Sequence, residues 1–321
     1  MKLHQNKKLF DQSIRATAQR MGIADIYVEK DYWVTLTLYQ IFKQPIGAET
    51  VFKGGTALSK CFDIIQRFSE DVDLVMVRKE TDTTSKMERK VKKPSKVIES
   101  ILPEIYMEGL TNKKGMLRKT VHQYPKVFKG KLGQVRDVIV LEASYLGRFE
   151  PYHTQYINSY IGEMMVAVNQ NDLAQAYDLM PFQVNVMDVT RTFCEKIMSL
   201  VRFSYGLNAI QQLKDKIRHA YDIHQLMNLE TVQVFFKSEA FIEMLTQVKE
   251  DDRLSFKSEN TWLDYPIFKA LIFSDTEQVW SQLKTSYSHE FRMLVYGDLP
   301  EEKEVLQSLL TIAHRLKEIK L

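Results

Sequence analysis

Asp71 and Asp73 stand two residues apart in the run SEDVDLVMV, downstream of Gly54, Gly55 and Thr56 in VFKGGTALSK. In an extended strand, residues two apart point to one face, roughly 6.6 Å apart by the rise per residue. The pair therefore aims two carboxylates together, while Val72 and Leu74 turn the other way into a core. Neighbouring carboxylates repel, and a bound divalent cation is the ordinary relief. Ligation by oxygen alone favours Mg²⁺ or Mn²⁺ over zinc. The competing reading is a sheet edge with solvated acids. Glu142, in VIVLEASYLG, is a third carboxylate in a second apolar run. If the two strands are neighbours, Glu142 completes the acidic site, because an isolated acid in so apolar a strand needs a partner or a metal.

The glycines suggest what the acids would act on. Gly54 and Gly55 open backbone conformations closed to other residues and allow close approach to a ligand. A helix beginning at Thr56 would direct its free N–H groups and positive dipole end into the same space, which suits a phosphate. Thr56 would cap that helix or donate its hydroxyl, and Ser59 and Lys60 lie one turn on. A plain strand-to-helix connection explains the glycines as well. Farther along, Lys196 lies on an apolar face, three residues after Phe193 and four before Leu200. An inward lysine needs an anion, for which a triphosphate would serve, unless it snorkels to water. Asp222 follows Arg218 by four residues, so a helix-surface pair competes with a functional acid. His219 and His224 read as packing or surface residues rather than metal ligands.

Several elements must position these groups. Residues 1–45 read as two helices broken at Gly22, and TVFKGG as a short strand. TALSKCFDIIQRF carries Ala57, Cys61 and Ile64 or Ile65 on one helical face, and DVDLVMV is a strand. VIESILPEIYMEGL is helix-like, HQYPKVFKGKLG suggests a hairpin or loop, and DVIVLEASYLG is a second clear strand. After about residue 180 the pattern turns helical, over 188–205, 209–227, 233–247 and 300–320. The expectation is an α+β chain, with a small mixed sheet and helices in residues 1–155 and a mainly helical domain in 156–321.

Composition narrows the class. The 321 residues are enough for a substantial core, and no stretch approaches a membrane span. Two cysteines, Cys61 and Cys194, both in apolar-periodic segments, argue against a disulfide framework or zinc site and for a reducing cytoplasm. The basic N-terminal stretch is followed by no apolar run, so a signal peptide is not expected. The formal net charge of +3 hides a block: between residues 78 and 136, sixteen Lys or Arg face six Asp or Glu. Such a block is either a solvated insertion or an attractor for a nucleic-acid backbone or polyphosphate.

With those residues in place, KGGTALSK followed by RFSEDVDLVM resembles the AbiEii/AbiGii-type nucleotidyltransferase toxins of the DNA polymerase β-like nucleotidyltransferase superfamily. EKDYWVTLTL upstream is similar to a lead-in helix of that family, and RTFCEKIMSLVRF and KDKIRHAYDIHQL resemble its two later motifs. The resemblance spans about residues 29 to 226 and implies a polymerase β-like core. It implies that Gly54, Gly55 and Thr56 hold a nucleoside triphosphate with help from Ser59 or Lys60. Asp71 and Asp73 would bind Mg²⁺ or Mn²⁺, Lys196 and Asp222 would be the late lysine and aspartate, and Glu142 a third carboxylate. The gap from Gly55 to Asp71 is longer than the common superfamily spacing, and the run from Arg67 to Asp71 fills it as in the toxin branch. An RNA acceptor such as tRNA and a cognate antitoxin are implied as partners, with no membrane. A protein or small-molecule acceptor such as an antibiotic, and a catalytically silent nucleotide- or RNA-binding module, are the alternatives.

Overall fold

The computed structural model describes residues 1–128, 136–255 and 260–320. They form two compact units: Met1–Asp63, Phe68–Tyr145 and Tyr152–Met187 make up unit 1, and Ile64–Arg67, Leu146–Pro151 and Asp188–Leu321 make up unit 2.

Unit 1 is built on a seven-stranded mixed sheet. Its strands are β1 (Thr50–Lys53), β2 (Val72–Met76), β3 (Glu104–Ile105), β4 (Leu117–His122), β5 (Ile139–Ser144), β6 (Tyr152–Ile157) and β7 (Phe182–Met187). They lie in the order β3-β4-β5-β2-β1-β7-β6. The central pairs are β1 antiparallel to β2, β2 parallel to β5 and β1 parallel to β7. Strands covered on both faces read as unbroken apolar runs, and Val72, Leu74, Val75 and Met76 of β2 and Ile139, Val140 and Leu141 of β5 are all buried. The helices of this unit are α1 (Lys7–Met21), α2 (Asp25–Phe42), α3 (Gly54–Lys60), α4 (Thr84–Val91), α5 (Lys93–Glu99), α6 (Tyr160–Ala167) and α7 (Asn171–Ala176). The Asn6 side chain caps the start of α1, accepting from Leu9 N–H, and Gly22 ends it in the left-handed conformation at φ 67°.

Helix α2 is buried from Val28 to Leu38, far beyond one amphipathic stripe. Three consecutive charges lie in that buried stretch, and each ties down a different segment. Glu29 accepts from the N–H groups of Val127 and Phe128 at 2.7 and 3.0 Å. Lys30 pairs with Glu70 at 3.0 Å and donates to the Arg136 carbonyl at 2.7 Å. Asp31 pairs with Lys60 at 2.5 Å and accepts from Tyr160 N–H at 2.8 Å. Buried charges are tolerated only when paired and hydrogen-bonded in this way.

Unit 2 is helical: α8 (Val189–Ser204), α9 (Ala209–Asp215), α10 (Ile217–Met227), α11 (Glu230–Lys237), α12 (Glu239–Ser255), α13 (Leu271–Ser274), α14 (Thr276–Thr285) and α15 (Glu302–Ile319). Asp188 caps α8 by accepting from Thr190 N–H at 2.8 Å, and Glu301 and Glu304 form a capping box on α15.

The α+β class is as the sequence predicts, with differences in detail. The boundary expected near residue 155 falls inside unit 1, because β6 and β7 join the sheet. The helix expected over TALSKCFDIIQRF stops at Lys60; Asp63 takes a left-handed φ of 53° and the chain leaves the helix axis. VIESILPEIYMEGL is not one helix, since α5 ends at Glu99 and Glu104–Ile105 pairs with β4. The helices expected over 209–227 and 233–247 are each broken, at Lys216 and at Ser238, the latter extended at φ −89°, ψ 168°. The hairpin or loop expected over 122–133 lies partly outside the described residues.

Candidate active site

The register of the sheet decides what Asp73 meets. Lys53 opposes Asp73, Asp73 opposes Glu142, and Glu142 opposes Lys119. Residues directly opposite one another share a face, so four side chains form a charged row across β1, β2, β5 and β4. Two acids stand together in its middle, and Glu142 is next to Asp73. Lys119 pairs with Glu142 at 3.1 Å. Burial, then the Glu142 and Asp71 carboxylates, push the Asp73 carboxyl up to about 7, against the pull of Lys119 and Lys53.

Gly54 follows β1 directly and adopts φ +81°; a Cβ there would sit 2.6 Å from Asp73 Oδ2. The glycine is thus required twice, for its left-handed backbone and for the space the carboxylate fills. Gly54→Ala is expected to destabilise the chain by about 1–2 kcal/mol from the backbone alone and to displace Asp73. Thermal melting and a transfer assay on the variant would check this, and unchanged values for both would remove Gly54 from the site.

Thr56 is buried, and its hydroxyl donates to the Asp71 carbonyl at 2.6 Å and lies 3.0 Å from Ser69 Oγ. It fastens α3 to the main chain that carries Asp71. Lys60, expected beside a triphosphate, is tied to Asp31 and to the Asn158 carbonyl at 3.0 Å. Gly55 and Ser59 are half-buried on α3. Lys53, at the N-cap of α3, makes no side-chain cap of that helix.

Asp71 immediately precedes β2. Its Oδ1 accepts from the Arg136 guanidinium at 3.2 Å, and Arg136 also lies 3.5 Å from Glu70. Composition alone flagged the basic block from which Lys119 and Arg136 come; no local signal identified their partners.

Within unit 2, Lys196 and Asp222 are brought together. Lys196 Nζ lies 2.6 Å from Asp222 Oδ2. Arg67 meets the same carboxylate through two bonds, Nε to Oδ1 at 2.7 Å and Nη2 to Oδ2 at 2.6 Å. All three are buried. Burial alone would raise the Asp222 carboxyl; Arg67 and then Lys196 hold it well below the usual carboxylate range. Burial lowers the Lys196 ammonium, and Asp222 opposes that. The inward face read for Lys196 is therefore correct, and its protein anion is Asp222. The fork-on-carboxylate from Arg67 had no counterpart in the sequence reading.

Among the described residues, no group of three or more His, Cys, Asp or Glu is gathered that could hold a metal ion, so Glu142 does not complete a three-carboxylate site with Asp71 and Asp73. The donors present fit a more open arrangement. Mg²⁺ is commonly held by one or two carboxylates, with substrate phosphates and water completing its shell. Asp71 and Asp73, two residues apart at the entry to β2, are the pair that could serve in that role. No described helix is long and apolar enough to cross a membrane.

The class is nucleotidyltransferase, and the sequence places the chain within it. The family described as nucleotidyl transferase AbiEii toxin, type IV TA system, matches residues 36–309. The chain belongs to that family, the toxins of a type IV toxin–antitoxin system. No curated protein matches the sequence. Among solved structures, JHP933 from Helicobacter pylori is similar over 91% of this chain and 92% of its own, at 14% identity and a TM-score of 0.41. MenT4, a nucleotidyltransferase toxin from Mycobacterium tuberculosis H37Rv, is similar over 93% of this chain and 98% of its own, at 14% identity and a TM-score of 0.37.

Proposed function

We propose that the chain transfers a nucleotide from a nucleoside triphosphate to an RNA, with tRNA as the acceptor, and that Asp71 and Asp73 hold the Mg²⁺ or Mn²⁺ this requires. The observation that carries the reading is the Asp73–Glu142 pairing beside Gly54. Two adjacent carboxylates in the middle of a charged row, against a turn that has no room for a side chain, are costly, and they are useful where a cation–triphosphate must dock. The metal, when bound, would neutralise charge on the phosphates and stabilise the attacking and leaving oxygens. Gly54 and Gly55 give the phosphates backbone to approach, and Thr56 keeps Asp71 in place. Glu142 is the candidate acceptor of the proton from the attacking hydroxyl, with Lys119 holding its carboxylate. From the resemblance of RTFCEKIMSLVRF and KDKIRHAYDIHQL to the family's later motifs, we assign Lys196 and Asp222 a part in the reaction.

An RNA acceptor is supported by the basic block. Several of its cations are used internally, as in the pairs of Lys90 with Asp82 and Lys119 with Glu142. Arg89, Lys92, Lys93 and Lys96 stay exposed along α4 and α5, where a phosphate backbone could lie. The test is incubation with total tRNA, Mg²⁺ and each of four α-³²P-labelled nucleotides at rising salt. Label on RNA, with KM for RNA climbing steeply with salt, is the expected result. Label on protein, or transfer indifferent to salt, would overturn the RNA assignment. A cognate antitoxin is the further partner the family implies.

A further inference from the structure

Arg136 is held in an unusual way. Its main-chain N–H donates to both oxygens of Glu70 at 3.0 Å, and its carbonyl accepts from Lys30 at 2.7 Å. Lys30 and Glu70 are themselves a buried pair 3.0 Å apart, their side chains 0% and 5% exposed. The backbone at 136 is therefore fixed on both sides by a charge pair inside the protein. The side chain, by contrast, is 37% exposed; its guanidinium lies 3.2 Å from Asp71 Oδ1 and, at 3.5 Å, is held only loosely by Glu70. This is an anchored base with a partly exposed tip, and the tip pairs with one of the two aspartates assigned to the metal.

A guanidinium and a divalent cation cannot share one carboxylate cheaply, because their charges repel at close range. The ion that takes Asp71 arrives with a polyanionic triphosphate, and the planar fork of arginine suits phosphate oxygens. We propose that Arg136 is a displaceable counter-ion: it neutralises Asp71 in the metal-free protein and transfers its guanidinium to a phosphate of the nucleotide when a divalent cation takes Asp71. The inference rests on the metal-binding reading of Asp71 given above. A role for Lys30 of α2 follows from it, since Lys30 sets where the arginine is anchored.

The test is Mn²⁺ binding to nucleotide-free protein by electron paramagnetic resonance, followed by binding of a non-hydrolysable nucleoside triphosphate in the presence of Mn²⁺. Arg136→Gln keeps the main-chain bonds and removes the competing charge. It is expected to bind Mn²⁺ about two- to fivefold more tightly, the range for a partly exposed ion pair, and the nucleotide about tenfold more weakly, the range for one lost charge-assisted bond. Arg136→Lys retains the charge and is expected to keep wild-type metal affinity while loosening the nucleotide. Arg136→Gln with unchanged or weaker Mn²⁺ binding overturns the exchange. Asp71→Asn separates the two claims. If it binds Mn²⁺ as the wild type does, the metal reading fails and the exchange with it. If it loses Mn²⁺ while Arg136→Gln changes nothing, the exchange alone fails.

Discussion

Replacing Asp222 with alanine is expected to cost about 3–5 kcal/mol of stability, the usual penalty for breaking a buried ion pair from one side. Its carboxylate is the shared partner of Arg67 and Lys196, both buried. Without it, two cations are left facing each other in a desolvated space. Chemical denaturation would read the loss directly, and a midpoint equal to that of the wild type would show that the cluster does not hold unit 2 together. Lys196→Met is the informative companion. It leaves Asp222 with its two Arg67 bonds, so the fold is expected to persist at little cost while transfer falls. A Lys196→Met protein with full transfer would reduce the lysine to a structural counter-ion.

Asp73→Asn is expected to have the opposite sign on stability and a large effect on rate. Burial, with the Glu142 and then the Asp71 carboxylate adding to it, pushes the Asp73 carboxyl up to about 7. The folded chain therefore binds that proton more tightly than the unfolded chain does. The stabilising contribution of the protonated form is present in acid and is lost as pH rises from the ordinary carboxylate range through about 7. Asparagine removes this loss, so in metal-free buffer the variant should melt above the wild type, by a margin that widens with pH up to about 7 and then levels. Its transfer rate should fall on the order of 10³-fold, as when a group acting on transition-state charge is removed. A variant less stable than the wild type near neutral pH would mean that Asp73 is a structural acid satisfied by its lysine neighbours.

The parts of this site legible in the sequence are those written locally. A glycine pair between a strand and a helix, and acids at alternate positions before an apolar run, are short-range patterns whose geometry follows from the backbone. Glu142 was legible as a partner only conditionally, and the parallel pairing of β2 with β5 supplies the condition. The fold class followed from the change of periodicity along the chain, although β6 and β7 were missed despite the alternation of Phe182, Val184 and Val186 in β7. What was not legible is the long-range pairing of charges. Arg67 meets Asp222 across 155 residues, and Lys30 meets the Arg136 carbonyl across 106. Lys60 looked available to a triphosphate because nothing near it in sequence revealed Asp31. A charged side chain on a helix gives no sign of which buried partner the fold will bring to it.

The central claim is that the row centred on Asp73 and Glu142 is a nucleotidyl-transfer centre. The most direct measurement is a single-turnover assay with α-³²P-labelled nucleotide, Mg²⁺ and RNA, run on wild-type protein and on Asp73→Asn protein shown by melting to be folded. Transfer of label by the wild type that is absent from the folded variant is the predicted result. Equal transfer by the two proteins would contradict the account and place the chemistry elsewhere in the chain.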